Sequence, residues 1–488
     1  MTGPLWTFDA FVAAMRGRPT STAAPAISGV SIDSRTVKPG EAFFAIRGDR
    51  FDGHDFVGKA AAQGAAVAVV AEDRLAALGR MTIPLVVVSD VLGALEELGR
   101  AARARSHAGI AAVTGSVGKT TTKEMLARAL GATGPTHFSP ASFNNHWGVP
   151  ITLARMPEDA AYAVFEIGMN HGGEIEPLVK MVRPDVAIIT TIEPVHIEFF
   201  PEGIDGITRA KAEIFAGIER GGAVILNRDN PQFEALALMA IDAGIDRVLG
   251  FGESADAEAR LTALDLLPDQ SHVKADILGR EIRFTIGAPG RHLVQNALAV
   301  MLAVHLLGGD LDLAADSLSG MAAPSGRGAQ HLLSLADGTA ALLIDESYNA
   351  NPTSMRAAIA VLAAMQPGPG AKRIAVLGDM LELGERSAEM HAGLLEPLMA
   401  AGIDRIYCAG RLMHALWQVL PSDMQGQYAE TAEELDVILG DAIAGGDAIM
   451  VKGSKGSRMT PLVDRLTTRF APLATVIAAS EPAIEGLD

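Results

Sequence analysis

Residues 109–130 read GIAAV, TGSVGKTT and TKEMLARAL: a short apolar run, a glycine-rich stretch carrying Lys119, and a segment with helical spacing. An apolar run of this length bounded by a Gly-rich turn predicts a buried strand, and the periodic segment after it predicts a helix. Strand, tight loop and helix in that order have a defined chemical use. Glycines let backbone N–H groups turn inward on phosphate oxygens, and the helix N-terminus adds positive potential. The loop Thr114-Gly115-Ser116-Val117-Gly118-Lys119-Thr120-Thr121 is therefore predicted to hold a nucleoside triphosphate, with Lys119 on the β and γ phosphates and Thr120 on Mg²⁺. Val113 stands where the standard phosphate-loop pattern has its first glycine. A plain Gly-rich turn is the competing reading, and the coincidence of strand, Gly-Lys-Thr and helix argues against it.

Outward from this point the texture repeats. Apolar runs at 162–167, 186–192 and 223–226 each end at a polar residue and precede a helix-like stretch, which predicts a parallel sheet. Residues 257–286 alternate instead, as in HVKADI and REIRFTI, and predict antiparallel hairpins. From about Arg327 the strand and helix alternation resumes, with strands expected at 341–344, 373–377, 405–408 and 448–451 in a doubly wound domain. Before the loop, the runs 42–46 and 65–70 and a helix over 92–104 form a further unit. The 479–488 tail has little pattern, and no internal repeat is visible.

The chain has 488 residues, about half of them apolar and a fifth charged, which fits several globular domains rather than one core or a disordered chain. A net charge of −18 and the lack of Lys/Arg clusters disfavour a nucleic-acid partner. No apolar stretch reaches membrane-spanning length, so no membrane insertion is expected. The start, MTGPLWTFDA, lacks a basic region followed by a long apolar run, and the single cysteine, Cys408, rules out an internal disulfide or a thiolate metal cage. These features lead to the expectation of a cytoplasmic protein, with Cys408 in a core.

Glu166 ends the run AVFE, His196 follows AIITTI, and Lys211 sits in TRAKAEIF. In a parallel sheet, strand C-termini line the ligand crevice, where oxygen and imidazole ligands could hold Mg²⁺. Taken singly, each has an ordinary reading as a strand-end charge, a loop histidine or a solvated helix face. The TGxxGKTT form, followed in order by these residues and by GRHLVQNA (290–297), PSGRG (324–328) and DESYNANPTSM (345–355), resembles the Mur ligase family. The resemblance extends over SIDSR (31–35), PGEAFFAIRG (39–48), DGHDFV (52–57), SFNNHWGVP (142–150), LGDMLELGE (377–385) and VKGSKGSRM (451–459), and so covers nearly the whole chain.

That resemblance implies an α/β protein of three domains: an N-terminal UDP-binding domain (1–107), a central phosphate-loop ATPase domain with a parallel sheet (108–326), and a C-terminal Rossmann-like domain (327–488). It implies that Thr120 and Glu166 ligate one Mg²⁺ and His196 a second. It also implies that Lys211 carries a CO₂-derived carbamate, which turns a cationic residue into an anionic metal ligand. Lys119, His196 and Lys211 are then the expected catalytic residues. Asn296 is expected at the adenine, and Arg327 and Asp345 bring the third domain onto ATP. Ser34 and Arg35 are expected to face the uridine diphosphate. Asn144 and Asn145 are expected to contact substrate, with Tyr348, Asn349 and Asn351 at the amine site. Many relatives have a second Asp where this chain has Glu346, which leaves the role of that position open.

The third-domain segments are most similar to the member that joins D-alanyl-D-alanine to UDP-N-acetylmuramoyl-tripeptide, giving the pentapeptide precursor of peptidoglycan. A monomeric, ATP- and Mg²⁺-dependent amide-forming ligase is the resulting expectation. Another ligase of the same build, such as a folylpolyglutamate synthase, would share the ATP residues but not these segments. A phosphate-loop ATPase coupled to movement or regulation is the alternative from a different class.

Overall fold

The computed structural model describes residues 3–48, 50–195, 197–267, 269–323 and 325–470. His196 and the 479–488 tail lie outside the described residues. The chain divides into two compact units, one ending at Met321 and the other beginning at Ala322. The described residues form three sheets, two in the first unit and one in the second.

The first sheet contains β1 (Arg18–Pro19), β2 (Gly29–Ser31), β3 (Glu41–Phe44), β4 (Val67–Ala71) and β5 (Leu85–Val88), in the order β1-β5-β4-β3-β2. Its ladders are parallel except that β1 runs antiparallel to β5. The strands β3, β4 and β5 are rich in Val, Ala and Phe because both faces are covered, as parallel sheets require. The helix Val91–Arg105 closes this unit. Asp90 caps it by accepting from the Leu92 and Gly93 N–H groups, and Ala94, Leu95, Leu98 and Ala102 form the buried stripe. Gly99 lets this helix approach Gly148–Ala154 closely, since a Cβ there would come within 3.2 Å of both Leu153 Cβ and Pro150 O. Trp6 Nε1 donates to Ala154 O at 3.0 Å and Arg155 Nε to Val30 O at 2.6 Å, so polar bonds pin the same junction. This fixes the first sheet against the second.

The second sheet holds β6 (Gly109–Thr114), β7 (Thr136–Phe138), β8 (Tyr162–Glu166), β9 (Val186–Ile189), β10 (Ala223–Asn227), β11 (Arg247–Gly252), β12 (Ala259–Leu266), β13 (Ser271–Ile277) and β14 (Arg280–Ile286). The order is β14-β13-β12-β11-β10-β9-β6-β8-β7. Ladders from β7 across to β12 are parallel, and β12, β13 and β14 pair antiparallel. The alternating segment is thus an antiparallel extension of the same sheet. After β6 the chain builds β7 and β8 on one side and then β9 to β11 on the other. The end of β6 is therefore a topological switch point, where α/β sheets open a ligand crevice.

The third sheet, in the second unit, contains β15 (Ala329–Ser334), β16 (Ala340–Glu346), β17 (Arg373–Gly378), β18 (Arg405–Ala409), β19 (Gln425–Ala429) and β20 (Ala448–Lys452), in the order β15-β16-β20-β17-β18-β19. Only the edge pair β15 and β16 is antiparallel. Apolar clusters cover both faces, one around Met355, Ile359 and Leu398 and the other around Leu435, Leu462 and Leu466, which is the doubly wound arrangement expected from the sequence. Cys408 is buried in β18. Among the described residues no helix is long and apolar enough to cross a membrane.

Candidate active site

The glycine-rich loop follows β6 at the switch point and starts the helix Lys119–Gly131. Gly115 and Gly118 have φ of +142° and +87°, values that disfavour any side chain. Space enforces the same choice, because a Cβ on Gly115 would come within 2.0 Å of Thr190 Oγ1 and one on Gly118 within 3.0 Å of the Asn296 amide. The segment after β9 clamps the loop from outside. Ser116 N–H donates to Thr191 O at 2.8 Å, Ser116 Oγ to Glu193 O at 3.0 Å and Thr190 Oγ1 to Val117 O at 2.5 Å. This explains a difference from the sequence reading, where the strand was expected over 186–192. It stops at Ile189, because the threonines beyond it bracket the loop instead of extending the sheet. Lys119 Nζ donates to Gly115 O at 2.7 Å and Ser116 O at 3.3 Å, folding its charge over the cradle. Thr114 and Thr121 are buried at either end.

Beside the loop, Thr120 Oγ1 lies 3.2 Å from Ser142 Oγ. Glu166, at the end of β8 and opposite Val113 in the ladder, is 2 % exposed. Asn144 Nδ2 donates to Glu166 Oε1 at 2.7 Å. The other oxygen, Oε2, is buried and has no hydrogen-bond partner among the described residues. A buried carboxylate oxygen without a donor is costly and marks the place of a missing positive partner. No group of three or more His, Cys, Asp or Glu side chains that could hold a metal occurs among the described residues. A hydroxyl and one carboxylate next to a phosphate cradle are nevertheless a donor set that fits Mg²⁺, which keeps several waters and takes substrate phosphates as ligands.

Lys211 sits on the helix Ile204–Ala212 and is 2 % exposed. Burial, and then the positive charge of Lys119, push its amine well below the ordinary lysine range, against the pull of Glu213, Glu174 and Glu166. Those carboxylates have other work. Glu213 accepts from the Gly173, Ile175 and Glu176 N–H groups at 2.6, 3.0 and 3.2 Å, and Glu174 accepts from Asn170 N–H and lies 3.0 Å from His171 Nδ1. The result is a desolvated amine in the positive field of the loop lysine.

The remaining expected residues are distributed as follows. Asn296, on the helix Arg291–Leu306, is buried against Gly118. Ser34 is buried, whereas Arg35 is exposed and gripped by Asp33, through Nε to Oδ1 at 2.9 Å and Nη2 to Oδ2 at 2.6 Å. Asn145 Oδ1 accepts from the Trp147 and Gly148 N–H groups at 3.2 and 2.9 Å, so it starts the helix Gly148–Ala154. In the second unit, Asp345 is buried and accepts from Gly326 N–H at 2.7 Å and Ser347 Oγ at 2.6 Å. The Arg327 guanidinium stacks 4.1 Å over the Tyr348 ring. Asn349 O accepts from Lys452 Nζ at 3.0 Å, and the same ammonium pairs with Glu346 at 3.2 Å, a use for the residue that replaces the usual Asp. Asn351 caps the helix Pro352–Ala364 by accepting from Ser354 N–H at 2.8 Å. The loop, Thr120, Asn144, Glu166, Lys211 and Asn296 thus gather around the end of β6. Sequence reading overlooked Thr190 and Ser142, whose only local signal was a threonine pair after a strand and a serine beside the two asparagines.

A nucleotide cradle at a switch point, an orphaned carboxylate oxygen beside it and a desolvated lysine define a phosphate-loop enzyme that works on a nucleoside triphosphate. Residues 26–105 match the Mur ligase family catalytic domain, 113–304 the Mur ligase middle domain and 334–455 the Mur ligase glutamate ligase domain. The chain belongs to the Mur ligase family. It is 33% identical over 435 residues to the UDP-N-acetylmuramoyl-tripeptide–D-alanyl-D-alanine ligase of Rickettsia prowazekii, covering 89% of this chain and 94% of that protein. Identity to the Escherichia coli ligase of the same name is 34% over 443 residues, 90% of this chain and 94% of the relative. The crystal structure of MurF from Acinetobacter baumannii superposes with a TM-score of 0.81 at 32% identity, covering 95% of this chain and 99% of that one.

Proposed function

We propose that the protein is the ATP-dependent ligase that joins D-alanyl-D-alanine to the terminal carboxylate of UDP-N-acetylmuramoyl-tripeptide. The observation that carries this reading is the likeness to relatives bearing that activity, which runs through all three domain matches. The site supplies the chemistry. An acceptor carboxylate oxygen attacks the γ-phosphorus of ATP, ADP leaves, and an acyl phosphate results. The amine nitrogen of the dipeptide then attacks the acyl carbon and phosphate departs, taking the bridging oxygen.

The first step brings one anion onto another, and positive charge fixed where charge develops offsets that repulsion. Loop N–H groups and Lys119 hold the β and γ phosphates, and Lys119 leaves the carbonyls of Gly115 and Ser116 to do so. Mg²⁺, when bound, neutralises phosphate charge and polarises the γ-phosphoryl group. Thr120 and the free oxygen of Glu166 would hold it, with Asn144 fixing the carboxylate through its other oxygen. His196 serves a second Mg²⁺ in this reading. A lowered amine pKa supports carbamylation of Lys211, because only the neutral amine adds CO₂, and the product is an anionic ligand. Asn296 lies on the adenine side, with Arg327 and Asp345 bringing the third domain to the nucleotide.

Three domains, 1–107, 108–326 and 327–488, divide the work in this scheme. Ser34 and Arg35 hold the uridine diphosphate, and Tyr348, Asn349 and Asn351 hold the dipeptide, the last by capping the helix Pro352–Ala364 that follows this segment. Asn144 and Asn145 stand on the acceptor side, Asn144 by orienting Glu166 and Asn145 by holding the Trp147 and Gly148 N–H groups. ATP and a nucleotide-linked sugar as joint substrates support a cytoplasmic location. The test is phosphate release by the purified protein with ATP and Mg²⁺. Release only when both the UDP-linked tripeptide and D-alanyl-D-alanine are present supports a ligase, and release without either supports a free-standing ATPase.

A further inference from the structure

One fully buried lysine has no part in the scheme above. Lys123 lies one turn after Lys119 on the phosphate-loop helix, and its exposure is 0 %. Its Nζ donates to Ser139 O at 2.7 Å and Ala141 O at 3.3 Å, and pairs at 2.6 Å with Glu124, which is itself partly exposed. Burying an ammonium is expensive unless it is paired and hydrogen-bonded, and an apolar side chain of the same length would fill the space without that cost. The polar contacts are therefore what the lysine adds.

Those contacts grip the chain just before the two residues that touch the metal side of the site. Ser142 follows Ala141 directly and lies 3.2 Å from Thr120 Oγ1, on the same helix as Lys123. Asn144, two residues further, donates to Glu166 at the end of β8. The segment 139–144 is thus bonded to the helix at Lys123, bonded to it again at Thr120, and bonded to the neighbouring strand at Glu166. A one-residue slip at Ser139 or Ala141 would misplace both later contacts.

We propose that Lys123 is a positioning residue that holds segment 139–144 in register with the phosphate-loop helix, so that the Thr120–Ser142 and Asn144–Glu166 contacts form together. It rests on the reading of this site as one for a nucleotide with Mg²⁺. Lys123 then acts on the metal-dependent part of nucleotide binding and leaves the backbone cradle alone. A lysine serving only the core would affect both parts equally.

The experiment is calorimetric titration of ADP into the full-length protein and into Lys123→Met, once in EDTA and once in excess Mg²⁺. The expected result is an ADP affinity in EDTA within about twofold of the parent, with the gain in affinity on adding Mg²⁺ reduced about tenfold, as for loss of a charge-assisted bond. Equal loss in both conditions, or an undiminished gain, overturns the proposal. Should Lys123→Met fail to fold, hydrogen exchange on the parent protein decides. Peptides over 139–144 should be protected by Mg²⁺ with ADP well beyond ADP alone, and unchanged exchange overturns the coupling. Failure of the parent to bind ADP at all would instead remove the nucleotide reading, and this inference with it.

Discussion

Asn144 Nδ2 donates to Glu166 Oε1 at 2.7 Å and so fixes the carboxylate with its second oxygen buried and unpartnered among the described residues. One oxygen is spent on orientation, and in the proposed reading the other is kept for Mg²⁺. Glu166→Gln keeps the shape but removes the charge, and it should lower turnover by roughly 100-fold and raise the Mg²⁺ concentration needed for half-maximal rate. Asn144→Ala loses only the orienting bond and should cost about tenfold. Initial rates across a Mg²⁺ series check both. An unchanged Mg²⁺ requirement in Glu166→Gln would remove Glu166 from the metal site.

Lys211 is desolvated and lies in the positive field of Lys119, so its amine is far easier to deprotonate than an ordinary lysine. Under the proposed carbamylation, Lys211→Ala should lose most activity, about 100-fold or more, and formate or acetate should partly restore it, because the group it would lack is a carboxylate. Small amines should not. The sign with pH follows from the neutral amine being the reactive form: stripping CO₂ should slow the parent enzyme, and more so as the medium is acidified. Rescue by amines but not acids would mean that Lys211 works as a cation.

Arg35 is held by Asp33 at the surface, and Ser34 is buried beside it. An exposed ion pair of this kind adds little stability, so Arg35 can exchange Asp33 for a phosphate at little cost. Replacing either residue by Ala should raise KM for the UDP-linked substrate about tenfold and leave KM for ATP nearly unchanged. Equal effects on the two substrates would contradict a separate uridine diphosphate site.

Asp52 provides a pH test of the first sheet. Burial opposes its ionised form, but the His54 N–H, the His54 ring and Arg74 more than offset this and lower its pKa to about 2. His54 Nε2 accepts from Ala71 N–H at 2.9 Å while Nδ1 lies 2.5 Å from Asp52, so the loop 52–54 is tied to the end of β4. A depressed carboxyl pKa stabilises the fold fully above its ordinary value of 3.8 and loses that contribution as pH falls through about 2. Asp52→Asn should therefore cost about 1 kcal/mol at neutral pH, a difference that shrinks below pH ~4 and closes only below pH ~2. Denaturant titrations at pH 7 and in acid measure it, and a gap independent of pH would assign the loss to shape and not to charge.

What could be read from the sequence followed how local each cause is. The loop at 114–121 was legible because strand, glycines, Lys119 and helix lie within one short stretch and each has a single physical purpose. The alternation over 257–286 likewise gave the hairpins of β12, β13 and β14, although not their place on the central sheet, which depends on a short parallel pairing of β12 with β11 that no alternation signals. Short or polar edge strands such as β1, β7 and β19 carry too little periodicity to be seen. Lys123 looks like any polar residue early in a helix; it is buried because 139–141 folds over it, a contact made by sequence-distant backbone carbonyls. Asn145 and Asn351 were read as substrate residues, yet Asn351 before Pro352 is also a helix-start signal, and the structure uses its side chain as a cap.

The central claim is that this protein makes one specific amide bond, and the mass of the product tests it most directly. Purified protein, ATP, Mg²⁺, UDP-N-acetylmuramoyl-tripeptide and D-alanyl-D-alanine should give a species heavier than the acceptor by one dipeptide less one water, formed in step with ADP and phosphate. An acceptor of unchanged mass while ATP is consumed, or a gain equal to a different amine, would contradict the account.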